Sequence, residues 1–138
     1  MKKLTIFIVM AFLLVLAAPV YAIPALPHAF YGDVEINGKP APVGTRVEAR
    51  GEGVATGIAG NPTITTVTGI YGTSNPYEPR LIIQAVKEGN IQDGTTLTFY
   101  VNDVSTGQTA EWHSGETSPK DLSVTIAAPG PGPAPRYY

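Results

Sequence analysis

The amino-acid sequence predicts an all-β domain, a sandwich or barrel of about seven short strands. Three observations lead there. Beyond residue 22, apolar and polar residues alternate at a period of two; Gly, Pro, Asn-Gly and Asp-Gly turn signals recur between those stretches; and no segment carries helical periodicity. The same region is rich in Thr and Val, which suit a pleated backbone.

The first element is of another kind. Lys2 and Lys3 give a positive start, and Leu4 to Ala18 is apolar except for Thr5. Pro19 breaks a helix, and Val20-Tyr21-Ala22 offers a signal-peptidase site. Residues 1–22 therefore read as an export signal cleaved between Ala22 and Ile23. Spanning hydrocarbon takes about 20 apolar residues, and this run is shorter, so membrane contact is expected only through the signal before cleavage. The mature chain is expected outside the cell, secreted or at the cell surface.

Residues 23–28, with Pro24 and Pro27, read as an extended lead-in. The β-domain is expected over 29–126. Phe30, Gly32, Val34 and Ile36 alternate with Tyr31, Asp33 and Glu35, and Asn37-Gly38 then marks a tight turn. Thr45 to Arg50 alternates again after a Pro/Gly loop. Val54 to Ile58 and Thr63 to Thr68 read as short strands around Gly60-Asn61-Pro62. Leu81 to Val86 is apolar apart from Gln84, as suits a central strand. Glu88-Gly89-Asn90 and Asp93-Gly94 are turns, and Leu97, Phe99 and Val101 alternate with Thr98 and Tyr100. Asn102 to Gly107 is read as the connection to a strand over Gln108 to His113, and Leu122, Val124 and Ile126 form the last. Residues 127–138, Pro/Gly-rich, are expected to be an unstructured tail.

Charge and composition exclude several classes. All 11 acidic side chains lie beyond residue 22, whereas Lys2 and Lys3 precede it, so the mature part is net acidic. Nucleic acid, which is held by neutralising phosphates, is not an expected partner. Cysteine is absent, which removes thiolate metal sites and cysteine nucleophiles. The two histidines, His28 and His113, have no paired spacing and read as surface or turn residues without a metal. No serine sits in a Gly-x-Ser-x-Gly elbow. Only Glu88-Gly89-Asn90 with Asp93, and Asn102-Asp103, come near the Asp/Asn-rich loop that calcium prefers, and solvated strand faces and turns account for the carboxylates more simply. No catalytic residue, metal or cofactor is expected.

Aromatic residues are the remaining candidates. Tyr31, Tyr71, Tyr77 and Trp112 are candidate ligand-binding rings, since a ring on a sheet face can stack on a sugar. Core packing is the competing role for each.

The series Phe30-Tyr31-Gly32-Asp33-Val34-Glu35-Ile36-Asn37-Gly38 through Lys39-Pro40-Ala41-Pro42-Val43-Gly44 to Thr45-Arg46-Val47-Glu48-Ala49 resembles the opening of carboxypeptidase-regulatory-like, prealbumin-like domains of exported prokaryotic proteins. Thr65 to Thr68 and Gly69-Ile70-Tyr71-Gly72 resemble the threonine-rich strand and G-x-Y step that follow there. The resemblance implies a Greek-key β-sandwich over about residues 29–126, exposed outside the cell and accompanying an activity instead of carrying one. Some similar domains crosslink a Lys and an Asn between first and last strands. Here Asp121 to Ile126 has no Asn and the first strand no Lys, so no crosslink is expected.

Together these readings point to a non-catalytic extracellular structural or interaction domain acting through sheet edges and loops. Its expected partners are proteins of the cell envelope or further copies of itself, with Ile23 to Phe30 a candidate donor segment. A secreted carbohydrate- or ligand-binding module is the alternative. The exported protein is expected to begin at Ile23; an intact mass that retains Met1 or Lys2 would refute the export reading.

Overall fold

The computed structural model describes residues 25–86 and 91–127. Residues 1–22, expected to be an export signal, the expected Ala22/Ile23 cleavage point, Glu88-Gly89-Asn90 and the tail from residue 128 lie outside the described residues. Within them the chain is all-β: ten strands and no helix, in two sheets, consistent with a β-sandwich.

The first sheet is organised around β1 (His28–Ile36), which pairs along both edges. On one edge run three antiparallel partners: β6 (Leu81–Ile83) beside His28–Phe30, β5 (Ile70–Gly72) beside Gly32 and Asp33, and β2 (Lys39–Pro40) beside Glu35 and Ile36. On the other edge, β9 (Thr117–Pro119) and β10 (Leu122–Val124) run parallel to it. The pairs Ala29–Thr117 and Val34–Leu122 share one register, so β9 and β10 form a single line interrupted at Lys120-Asp121. The interruption is bridged: Lys120 N donates to Tyr31 O at 2.8 Å, and Asp33 N donates to Asp121 Oδ1 at 2.9 Å. Only glycine fits opposite it. Gly32 has φ of 152°, and a Cβ there would meet Lys120 O and Asp121 Oδ1 at 2.7 Å.

The second sheet is antiparallel, in the order β4 (Thr63–Ile64), β3 (Arg46–Arg50), β7 (Thr96–Val101), β8 (Val104–Glu111). Alternation puts Val47, Ala49, Leu97, Phe99 and Val101 inside, against Phe30, Val34, Leu81, Ile83 and Leu122 of the first sheet. Phe30 and Phe99 meet edge to face across the layers, their centroids 5.3 Å apart. Trp112, just beyond β8, is buried in the same core and donates its indole N–H to Ile83 O at 3.1 Å.

Both open sides between the sheets are closed by short polar links. Gln108 of β8 reaches β10, accepting from Ser123 N at 2.8 Å and donating to Asp121 O at 2.9 Å. Its amide thus satisfies strand-edge groups as a neighbouring backbone would. On the far side, Ala55 N donates to Gln84 O and Val86 N to Gly53 O.

Several expectations are revised. Val54 to Ile58 is not a strand: Val54 makes a single bridge, to Ala85. β4 ends at Ile64, short of the expected Thr68. Its ladder is extended at the other end by a side chain. Asn61 stands in register opposite Ala49, but Pro62 has no N–H to continue the pairing. Asn61 Oδ1 accepts from Ala49 N at 3.0 Å, while Nδ2 donates to Ala49 O and Ala55 O at 2.9 Å. The hairpin after β7 turns on Asn102 and Asp103 alone, at φ of 48° and 65°, so β8 begins at Val104. Finally, β1 begins at His28, so His28, Ala29 and Phe30 of the candidate donor segment pair within their own chain.

Asn61→Ala leaves buried backbone groups of Ala49 and Ala55 without partners and should lower unfolding free energy by about 3 kcal/mol. Trp112→Phe, which leaves only Ile83 O without its partner and shrinks a buried ring, should cost about 2 kcal/mol. Urea denaturation of the two variants checks the order.

Candidate functional site

The four candidate aromatic residues have separate fates. Trp112 is a core residue with its N–H engaged, so its ring has no face for a ligand. Tyr71, on β5, is also buried; its hydroxyl donates to Lys120 O, and burial pushes its pKa far above the ordinary value. These two positions are corrections: both rings pack the domain. Tyr31 is half-buried on the outward side of β1, and Tyr77 is 94% exposed. The two do not form a stacked pair, so no flat platform is assembled.

His28 is likewise not a surface residue. It is buried in β1, its ring stacked on Phe30 at 4.1 Å. Its Nε2 lies 2.8 Å from Ser118 Oγ, a serine–histidine contact that sequence spacing could not reveal because β9 was unrecognised. The contact has the wrong polarity for nucleophilic catalysis. Nδ1 accepts a hydrogen bond from His113 N at 2.9 Å, and a backbone N–H can only donate. The ring proton therefore sits on Nε2 and points at Ser118. Such a nitrogen cannot take the serine proton as a general base must. Burial lowers the pKa of His28, the charges of Glu116 and Asp93 opposing this and His113 adding to it.

Two clusters of charged groups are paired. Glu48, buried on the outer side of β3, is held between Arg46 and Arg50, and both arginines also reach Asp103. Arg50 lies 3.9 Å over the Tyr100 ring. His113 pairs with Asp93 at 3.0 Å, which raises its pKa. Among the described residues, no three His, Asp or Glu side chains gather as metal ligands.

What remains is a loop. β5 and β6 lie end to end along one edge of β1, Gly72 facing Gly32 and Leu81 facing Phe30, and residues 73–80 leave the sheet between them. Side chains brace this excursion. Thr73 Oγ1 accepts from Asn75 N and donates to Glu78; Asn75 Oδ1 accepts from Tyr77 N; and Glu78 N donates to Asn75 O. Pro76 and Pro79 fix two more φ angles. The result is a stiff mount for the most exposed aromatic ring among the described residues.

Comparison with known proteins returns no matching family model, no matching curated protein and no matching solved structure. The chemistry of the loop therefore rests on its own surroundings. Two clefts flank it. One, of about 220 Å³, separates β4 from β5 and is lined by Ile64, Val67, Ile70, Tyr71, Thr73 and Glu78. Ile64 and Val67 are half exposed on its rim. The second, of about 410 Å³, is lined in part by Glu78, Pro79, Arg80, Ile82 and Gln84. Both clefts mix apolar and polar walls, and the loop residues Glu78 and Pro79 line both.

Ser118 is expected to stay unmodified by a serine-directed fluorophosphonate, read by intact mass. Stoichiometric labelling of Ser118 would overturn the proton assignment at His28.

Proposed function

We propose that this chain is an exported, non-catalytic interaction domain, a Greek-key β-sandwich of the carboxypeptidase-regulatory-like kind, that holds a protein partner outside the cell through loop 73–80 and the adjacent sheet edge. The observation that carries this reading is Tyr77: a 94% exposed ring on a loop already held by its own hydrogen bonds and two prolines. Exposed aromatic residues are the usual anchors of interfaces. A loop ordered before binding loses little entropy on capture. The apolar rim of Ile64 and Val67 supplies the surrounding contact, and the unpaired gap between β4 and β5 offers strand edge to an extended segment. The amino-terminal export signal supports an extracellular site of action, in the envelope or in a secreted assembly, and no cofactor is required.

A second reading, a carbohydrate-binding module, draws on one feature. Glu78, Arg80 and Gln84 offer planar hydrogen-bonding groups around the 410 Å³ cleft beside Tyr77, a combination that suits sugar hydroxyls next to a stacking ring.

The test is photo-crosslinking of the exported protein on the cells that produce it, from a photoreactive residue at position 77 and, as control, at Thr98 on the outer face of β7. A discrete protein adduct from position 77 alone is expected. Tyr77→Ala should weaken that partner's binding about 30-fold or more and leave the unfolding free energy within about 0.5 kcal/mol. Equal adducts from both positions, or none, would overturn the protein reading. Glycan binding lost in Tyr77→Ala would replace it with the second.

A further inference from the structure

Residues 112–118 and the segment before β1 are joined by a compact set of hydrogen bonds with His28 at its centre. Leu26 N donates to Ser114 Oγ at 2.9 Å, Gly115 N to Leu26 O at 3.3 Å and Ala29 N to Glu116 O at 2.9 Å. His28 adds two: it accepts from His113 N at 2.9 Å through Nδ1 and donates to Ser118 Oγ at 2.8 Å through Nε2. Two of these bonds hold the arm itself, at Leu26, and the other three tie the start of β1 to the β8–β9 connection and to β9.

From this geometry we infer that His28 is an acid-released latch, holding the arm at residues 25–27 against the 113–116 turn while its ring is neutral and letting go when the ring takes a second proton. The chemistry is that of a donor forced against a donor. An imidazolium has N–H on both nitrogens, so Nδ1 can no longer accept from the His113 backbone, which has no alternative but to donate. The ring is 1% exposed and stacked on Phe30, so water cannot take over the lost bond without an opening of the turn.

Among the described residues, the ionisable groups facing His28 are Glu116 and His113 of the 113–116 turn and Asp93 of the turn before β7. Glu116 and Asp93 favour the charged ring; His113 and burial oppose it, and burial is the largest influence. His113, 6.2 Å away, is engaged by Asp93 and Glu111, which favour its own protonation. The two rings therefore charge in separate steps, His113 first.

The sign of the effect follows. His28 has a lowered pKa in the closed state, so its contribution is complete above its ordinary value of about 6.5 and is lost as pH falls below it. His113, with a raised value, contributes oppositely: its share is complete below about 6.5 and lost as pH rises through its higher closed-state value. Release on acidification belongs to His28.

The experiment uses the exported protein and follows the Cε1–H resonances of both histidines with the amide-exchange protection of Ala29, His113 and Gly115 between about pH 4 and 8, where histidines titrate. Expected is a His28 midpoint below about 6.5, with protection of these amides, corrected for intrinsic rates, falling about tenfold per pH unit between 6.5 and that midpoint. Val34, in the middle of β1, should keep its protection. His28→Gln, whose neutral amide can both accept and donate, should abolish the acid loss below about 6.5 and leave only the opposite, higher-pH contribution of His113. A His28 midpoint at or above 6.5, protection indifferent to it, or the same acid loss in His28→Gln would overturn the latch. Should His28→Gln fail to fold, His113→Asn keeps the backbone donor and removes the neighbouring cation. It should raise the His28 midpoint and move the release with it; a release that stays put would equally overturn the proposal.

Discussion

The whole domain depends on the ladder that β1 makes on both of its edges. A strand paired on both sides has its backbone groups satisfied from end to end, and here five partner segments share that task. Two of them, β9 and β10, come from the far end of the described chain, so the ladder cannot form until nearly all of it has collapsed. The parallel register of β9 and β10 also sets where Leu122 and Val124 enter the core, since a shift of one residue would turn them out. Gly32 is the point where this line is allowed to break without losing register.

Polar side chains then finish what the backbone leaves open. Asn61 takes the ladder position that Pro62 denies to β4, Gln108 covers the exposed line of β10, and His28 fixes the turn after Trp112. Among the described residues no buried side-chain polar atom lacks a partner. For a cysteine-free chain of this size that matters, because no covalent link limits the unfolded ensemble and each unmade bond would weigh directly on a small margin. Three of the buried polar residues, His28, Asn61 and Thr65, stand where a purely apolar core would leave backbone groups orphaned.

Much of the fold was legible where one face of a strand is buried and the other is not. Phe30 to Ile36, Val47 and Ala49, Leu97 to Val101, and Leu122 with Val124 follow the period of two, and Asn37-Gly38 turns as its residues require. β8 was misplaced because its inward residues, Val104, Thr106, Gln108 and Ala110, line the polar seam at the sandwich edge and show no apolar alternation. β9, Thr-Ser-Pro, has none either; it is a strand because β1 offers it a ladder. The aromatic candidates illustrate a second limit. Trp112 and Tyr71 carry polar atoms that could as well have faced water, and only the partners Ile83 O and Lys120 O, distant in sequence, make them core residues. Tyr77 could be singled out only once loop 73–80 was seen to leave the sheet.

That departure explains how the domain could carry recognition without compromising its own folding. Along β1 the ladder steps from Gly32 to Phe30 as its partner steps from Gly72 to Leu81, so residues 73–80 contribute nothing to register. Lengthening such a connection costs little, since closure entropy grows only with the logarithm of loop length. The hydrogen bonds among Thr73, Asn75, Tyr77 and Glu78 are all internal to the loop, and its shape is therefore set by local sequence instead of by the core beneath it. Changes at its tip leave the β1 ladder untouched, while changes in the ladder would displace the loop as a unit. A surface element that is stiff by itself and decoupled from the fold is one in which contact residues can vary independently of stability.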